Sequence, residues 1–277
     1  MVNDKMTVTE TRDRLIRELV NNDKICAVAQ TGDPNAPLIP GSSDIDMFVL
    51  CSEIPTAEER RGAYEKFSGE YTEMLMNVCS GGIWGYGDIL LIGGIDVMFM
   101  YFTIEEMEAY LDEVLHGKHL DREGRFYPVG RLSSVEDIGV LFEREGEWTR
   151  LKNKVAARPQ ELFVQLYRKH IALALDAEDL SRALLRKEVL FFHQVLEEAL
   201  DHLLIVLFSL NFTYFPSRKR TEGYINGFAC KPEDCYDRLL HIVKLASESD
   251  TIPQAVEELK TLAADIRQLG DEVFHNG

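Results

Sequence analysis

Apolar and polar residues alternate with two different periods along the chain, and the place where the period changes divides it in two. In residues 7–20, Leu15, Ile16, Leu19 and Val20 recur at helical spacing, which predicts a first helix capped by Thr9 or Thr11. The short apolar run 25–29 predicts a buried strand, and the Pro- and Gly-rich stretch 30–41 predicts a loop. That loop leads into Ser43-Asp44-Ile45-Asp46-Met47-Phe48-Val49-Leu50, a second strand. Residues 56–79 predict a long helical segment broken near Gly69 and ended by Gly81-Gly82. Runs 88–92 and 95–101, joined at Gly93-Gly94, predict a β-hairpin. Residues 103–115 predict a helix opened by a Thr103-x-x-Glu106 capping box, followed by an irregular connector over 117–146.

From Trp148 onward the period is helical almost throughout, in segments near 148–157, 160–176, 179–209, 232–248 and 252–274. The expected fold class is mixed α+β. An α/β domain with a short mixed sheet is expected over residues 1–147, and an all-α helical bundle over 148–277.

Composition narrows what such a protein can bind. Its 277 residues carry 30 Lys and Arg against 47 Asp and Glu, a net charge of −17. That balance argues against broad nucleic-acid or anionic-membrane binding, yet leaves room for a small pocket built from a few local cations. The first eleven residues are polar and carry no secretory signal pattern, and the most apolar run, 203–210, is too short to span a bilayer. Of five cysteines, Cys26 and Cys51 lie in strand-like runs, and Cys230 and Cys235 have no second pair or histidine beside them. A reducing cytoplasm is the expected location. His170, His193 and His202 give no i, i+4 metal pair, and neither Gly-x-Ser-x-Gly nor Gly-x-x-x-x-Gly-Lys occurs.

The candidate chemistry lies on the second strand. Asp44 and Asp46 are two apart, so their side chains project from one face. Adjacent carboxylates repel unless a cation lies between them, and oxygen-only ligands suit Mg²⁺. Asp96 is the single acid of a later apolar strand and the natural third ligand; the alternative is a strand-end acid capped by backbone amides. Asp88 reads either as a general base or as a solvated strand-end acid. Trp84 and Tyr86 read either as a stacking platform or as core packing.

A small-residue turn, then Ser43-Asp44-Ile45-Asp46, then the lone Asp96, resembles the nucleotidyltransferase superfamily with the DNA polymerase β-like catalytic fold. The helical half is similar to the branch of antibiotic nucleotidyltransferases, such as lincosamide- and aminoglycoside-modifying enzymes. Two further stretches carry that likeness: the run from Leu207 through Asn211, Tyr214, Phe215 and Pro216 to Arg220, and Leu141 to Gly146 with Arg158 to Leu162. The resemblance implies transfer of a nucleoside monophosphate, from ATP or another NTP, to a hydroxyl of a small-molecule acceptor. It implies two Mg²⁺ ions on Asp44, Asp46 and Asp96, with Asp96 nearest the acceptor.

Relatives of that kind carry a Gly-Ser pair about a dozen residues before the first acid; here the register falls on Gly32-Asp33, and an acid beside a triphosphate is repulsive. Gly41, Ser42 and Ser43 are the candidates to supply replacement amides and hydroxyls. Arg218, Lys219 and Arg220 are the candidates for phosphate-binding charge, with Lys152 and Lys154 behind them. The partners expected are an NTP and the acceptor, with no nucleic acid, no membrane and a possible homodimer. The competing reading is a non-catalytic nucleotide sensor or partner-binding module on a degenerate nucleotidyltransferase fold.

Overall fold

The computed structural model describes residues 7–124, 126–175 and 177–275 and divides the chain into two compact units. The first takes in the described residues up to Glu113 together with Ser134–Ala157; the second takes in Val114–Ser133 and the described residues from Arg158 on. Of the polar start of the chain, residues 1–6 lie outside the described residues.

The fold is mixed α+β. In the first unit β1 (Ile25–Gln30), β2 (Asp44–Cys51), β3 (Glu73–Ser80), β4 (Tyr86–Ile92), β5 (Ile95–Thr103) and β6 (Gly139–Glu143) form one sheet in the order β3-β4-β5-β2-β1-β6. The β2–β5 pair is parallel and the other neighbouring pairs are antiparallel. Alternation along each strand decides what lies on each face. Ile45, Met47 and Val49 of β2, with Val97, Phe99 and Tyr101 of β5, are buried with Leu15, Ile16 and Leu19 of α1 (Val8–Leu19) and Tyr64 of α2 (Ala57–Glu65). On the other face Phe48 stacks on Trp148 of α5 (Glu147–Ala156), with ring centroids 6.2 Å apart. Burial on that face falls off toward the start of β2: Phe48 is buried, Asp46 half-buried and Asp44 exposed.

Several elements depart from the expected ones, each for an identifiable reason. The first helix is capped by Thr7, not by Thr9 or Thr11, because Thr7 and Glu10 close a reciprocal capping box. The long helix expected over 56–79 ends at Glu65, and its second half is the edge strand β3. Met74, Leu75 and Met76 favour a helix intrinsically, but pairing with β4 outweighs that propensity. The connector 117–146 contains α4 (Val129–Glu136) and β6, and β6 pairs with β1. The helix expected over 179–209 is two, α7 (Ala177–Arg186) and α8 (Val189–Leu210), split where Lys187 takes φ +54°. The hairpin at Gly93-Gly94 holds; both glycines have positive φ, as a tight turn of that hand requires. So does α3 (Ile104–Leu115), opened by the Thr103–Glu106 box.

The second unit is helical. α8 is buried on most of its circumference and packs against α6 (Gln160–Leu173), α7 and α11 (Ile252–His275). Short α9 (Thr221–Gly227), which the periodicity did not reveal, and α10 (Cys235–Leu245) complete it. On α11, Gly270 lies under the Tyr167 ring, whose hydroxyl donates to the Arg267 carbonyl at 3.3 Å. A methyl at Gly270 would overlap that pinned ring. Gly270→Ala is therefore expected to lower stability by about 1–3 kcal/mol despite alanine's better helix propensity, read as a shift of the urea midpoint. An unchanged or raised midpoint would show that Tyr167 is free to move.

Candidate active site

The two-residue spacing of Asp44 and Asp46 and the parallel register of β2 on β5 together build the acidic face. Asp44 pairs in register with Asp96, and Asp46 with Met98. Neighbouring strands are about 4.8 Å apart, so three carboxylates share one small area of one sheet face. Asp44 and Asp96 are exposed and Asp46 is half-buried. Among the described residues, neither the Asp44 nor the Asp96 carboxylate has a hydrogen-bond or ion-pair partner, so no backbone amide caps Asp96. All the donors are hard oxygens, which suits Mg²⁺ in kind and in number. The side chains do not yet converge: among the described residues, no group of three or more His, Cys, Asp or Glu is arranged around a common point.

The loop before β2 is held from several sides. Arg12 on α1 is buried and donates to Gln30 Oε1 at 2.7 Å and to the Pro34 carbonyl at 3.1 Å. Gly139 lets Pro34 pack directly against β6, where a side chain would collide. Gly32 takes φ +74° and is exposed, and Asp33 turns its carboxylate back to accept from the Asn35 amide at 2.9 Å. The turn amides expected to cradle phosphate are already used within the fold. Gly41 N donates to the Gly94 carbonyl, Ser42 N and Ser43 N donate to the Ile39 carbonyl, and Ser43 Oγ accepts from Ile39 N.

The basic run lies in the second unit and is only partly available. Arg218 donates from Nε to Asp201 Oδ1 at 2.5 Å and from Nη2 to the Glu197 carbonyl. Lys219 and Arg220 have exposed side chains. The motif leading to them is largely a folding device: Asn211 donates to the Leu207 and Cys230 carbonyls and accepts from Cys230 N, while Tyr214 and Phe215 are buried. Lys154 is taken by Glu108 and Asp112, and Lys152 by the Ile138 carbonyl.

Asp88 fits neither of its readings. It is fully buried on the sheet face opposite Asp96, where it accepts from Arg60 Nε at 2.6 Å, the Tyr64 hydroxyl at 3.2 Å and Asn77 N at 2.9 Å. Tyr64 and Tyr101 share a hydroxyl contact of 2.6 Å, and burial pushes both phenols well above their usual range. Core packing does not hold for Trp84 and Tyr86, which are 43% and 39% exposed.

Sequence spacing also missed a histidine pair, because its members are on different helices. His170 of α6 and His202 of α8 meet at 2.8 Å between their Nδ1 atoms. Burial, then the neighbouring His202, depresses His170 to about 3; burial also lowers His202, against the pull of Asp201. Groups with depressed folded-state pKa values leave the unfolded chain binding more protons below the ordinary histidine value of about 6.5. The pair's contribution is thus fully present above that value and lost as pH falls through it, by up to about 1.4 kcal/mol per histidine per pH unit. His202→Gln is expected to flatten the fall in stability between pH 7 and 5.5. Equal slopes in urea titrations of the two proteins would rule this out.

Residues 126–220 match a family described as "Domain of unknown function (DUF4037)". No curated protein matches. Among solved structures, the chain is similar to a nucleotidyltransferase-like protein from Exiguobacterium sibiricum 255-15, at 14% identity and a TM-score of 0.49, over 96% of this chain and 78% of that one.

Proposed function

We propose that this protein is a Mg²⁺-dependent nucleotidyltransferase that moves a nucleoside monophosphate, AMP from ATP foremost, onto a hydroxyl of a small molecule. The observation that carries the reading is the register of Asp44 beside Asp96 on parallel strands, with Asp46 two residues along on the same open face. It accords with the sequence resemblance drawn from the same three acids. Asp44 and Asp46 would hold both ions, and Asp96 the one nearer the acceptor. Two such ions supply, when bound, the positive charge that offsets the triphosphate and the entering and leaving oxygens. The acceptor oxygen forms a bond to the α-phosphorus as the α–β bridging bond breaks and pyrophosphate departs. Asp96, at an exposed strand position, would take up the hydroxyl proton. The test is incubation with each labelled NTP, Mg²⁺ and a library of hydroxylated acceptors, with pyrophosphate release as the readout. No release with any NTP across the library would count against transfer.

One observation favours a second reading. The amides of Ser42 and Ser43 are consumed within their own turn and that of Gly41 by the Gly94 carbonyl, and Asp33 adds negative charge to the loop. A triphosphate would find few donors there, as in a non-catalytic nucleotide sensor. ATP with Mg²⁺ that raises the melting temperature without turnover would favour the sensor.

A further inference from the structure

The second unit contains a cavity of about 370 Å³ that the transfer chemistry does not use. Its walls combine three aromatic rings, Phe126, Tyr127 and Phe215, with two arginines, Arg122 and Arg218. Both arginines are drawn in by one carboxylate that sequence reasoning passed over. Asp201 is buried, with Arg218 Nε at 2.5 Å from Oδ1 and Arg122 Nη1 at 3.5 Å from Oδ2. Arg122 also donates from Nε to the Gly124 carbonyl at 2.8 Å and from Nη2 to Glu197 Oε1 at 3.3 Å.

Each guanidinium carries five N–H donors in a planar fork, more than these contacts use. Arg218 Nη1 has no partner among the described residues. Both Asp201 oxygens, in contrast, already face a cation. Burial, then Asp201, raises the Tyr127 phenol to about 12, so it too remains protonated. The spare hydrogen-bonding capacity of the arginines is thus for acceptors. Asp201 and Glu197 balance the two arginines, so the lining holds no surplus charge to attract a polyanion such as a triphosphate. Tyr127 and Phe215 meet edge to face, at 6.1 Å and 67°, and with Phe126 form the apolar part of the lining.

We propose that this cavity binds a small organic anion made of one carboxylate or phosphate head on a flat aromatic body. The head pairs with the arginine forks, and the body lies among Phe126, Tyr127 and Phe215. Charge-assisted fork contacts fix its orientation, and ring contact supplies the apolar part of the affinity.

The test is calorimetric titration of the full chain with benzoate, phenyl phosphate, inorganic phosphate and neutral benzamide, without nucleotide or Mg²⁺. Because it reads binding alone, its outcome is separate from the success or failure of nucleotidyl transfer. Benzoate or phenyl phosphate should bind saturably, at least about tenfold tighter than inorganic phosphate or benzamide; comparing the first two identifies the head. Arg218→Lys keeps the charge beside Asp201 but removes the fork, and Phe126→Leu keeps an apolar wall but removes the ring. Each should weaken binding by about tenfold or more, while Lys244→Gln, an exposed charge outside the lining, should not. If Arg218→Lys fails to fold, Phe126→Leu decides alone. Absence of saturable binding by either aromatic anion would overturn the proposal. So would inorganic phosphate binding as tightly as phenyl phosphate, or wild-type affinity in the folded variants.

Discussion

Arg60→Met is expected to destabilise the protein by about 3–5 kcal/mol, among the largest effects of any single side chain here. Arg60 and Asp88 are 3% and 0% exposed, so removing the guanidinium leaves a carboxylate in the core with only Tyr64 and Asn77 as donors. The guanidinium also lies over the Tyr101 ring at 5.1 Å and donates to the Pro55 carbonyl and to Asn77 Oδ1, contacts that methionine cannot replace. Adding Asp88→Asn to Arg60→Met should restore part of the loss, because no charge then remains buried. Urea unfolding of the three proteins measures both effects. A loss below about 1 kcal/mol for Arg60→Met would mean that water reaches Asp88 and the pair behaves as a surface pair.

Asp46→Asn is expected to lower pyrophosphate release by at least about a hundredfold, if nucleotidyl transfer is the reaction. Substituting an outer-shell partner of a metal ligand already costs ~10–100-fold, and Asp46 would be a ligand itself. Asparagine keeps the size and one oxygen but loses the charge that would hold the ions. Asp44→Asn and Asp96→Asn should act alike, and Asp46→Asn with Asp96→Asn should fall little below either alone, since residues that act as a unit are not additive. None should change folding much, because Asp44 and Asp96 are exposed and Asp46 is half-buried at the open end of its strand. Near-normal release from Asp46→Asn would remove the acid face from the reaction, whatever the chain then transfers.

The acids were legible before the fold because a strand's period of two is a local property. Asp44-x-Asp46 share a face wherever that strand goes, and Gly93-Gly94 marks its hairpin by backbone freedom alone. The second half of 56–79 was misread because Met and Leu satisfy both periods, and only a partner strand decides between them. Asp88 illustrates the other limit. A strand-opening acid reads as solvated until Arg60, 28 residues earlier, is brought onto it. His170 with His202, and Arg122 with Arg218 on Asp201, escaped for the same reason: each constellation joins different helices or a loop and a helix.

By itself, the sequence determined the mixed α+β class, the acidic pair on its strand, the Thr103–Glu106 capping box and the Gly93-Gly94 turn, all of which depend on neighbours a few residues apart. Tertiary structure alone decided that Asp96 lies beside Asp44, that the Gly41 amide is taken by the Gly94 carbonyl, and that Arg218 is tied to Asp201. Register, hydrogen-bond saturation and ion pairing are set by groups far apart in the chain, and no local pattern encodes which of them will meet.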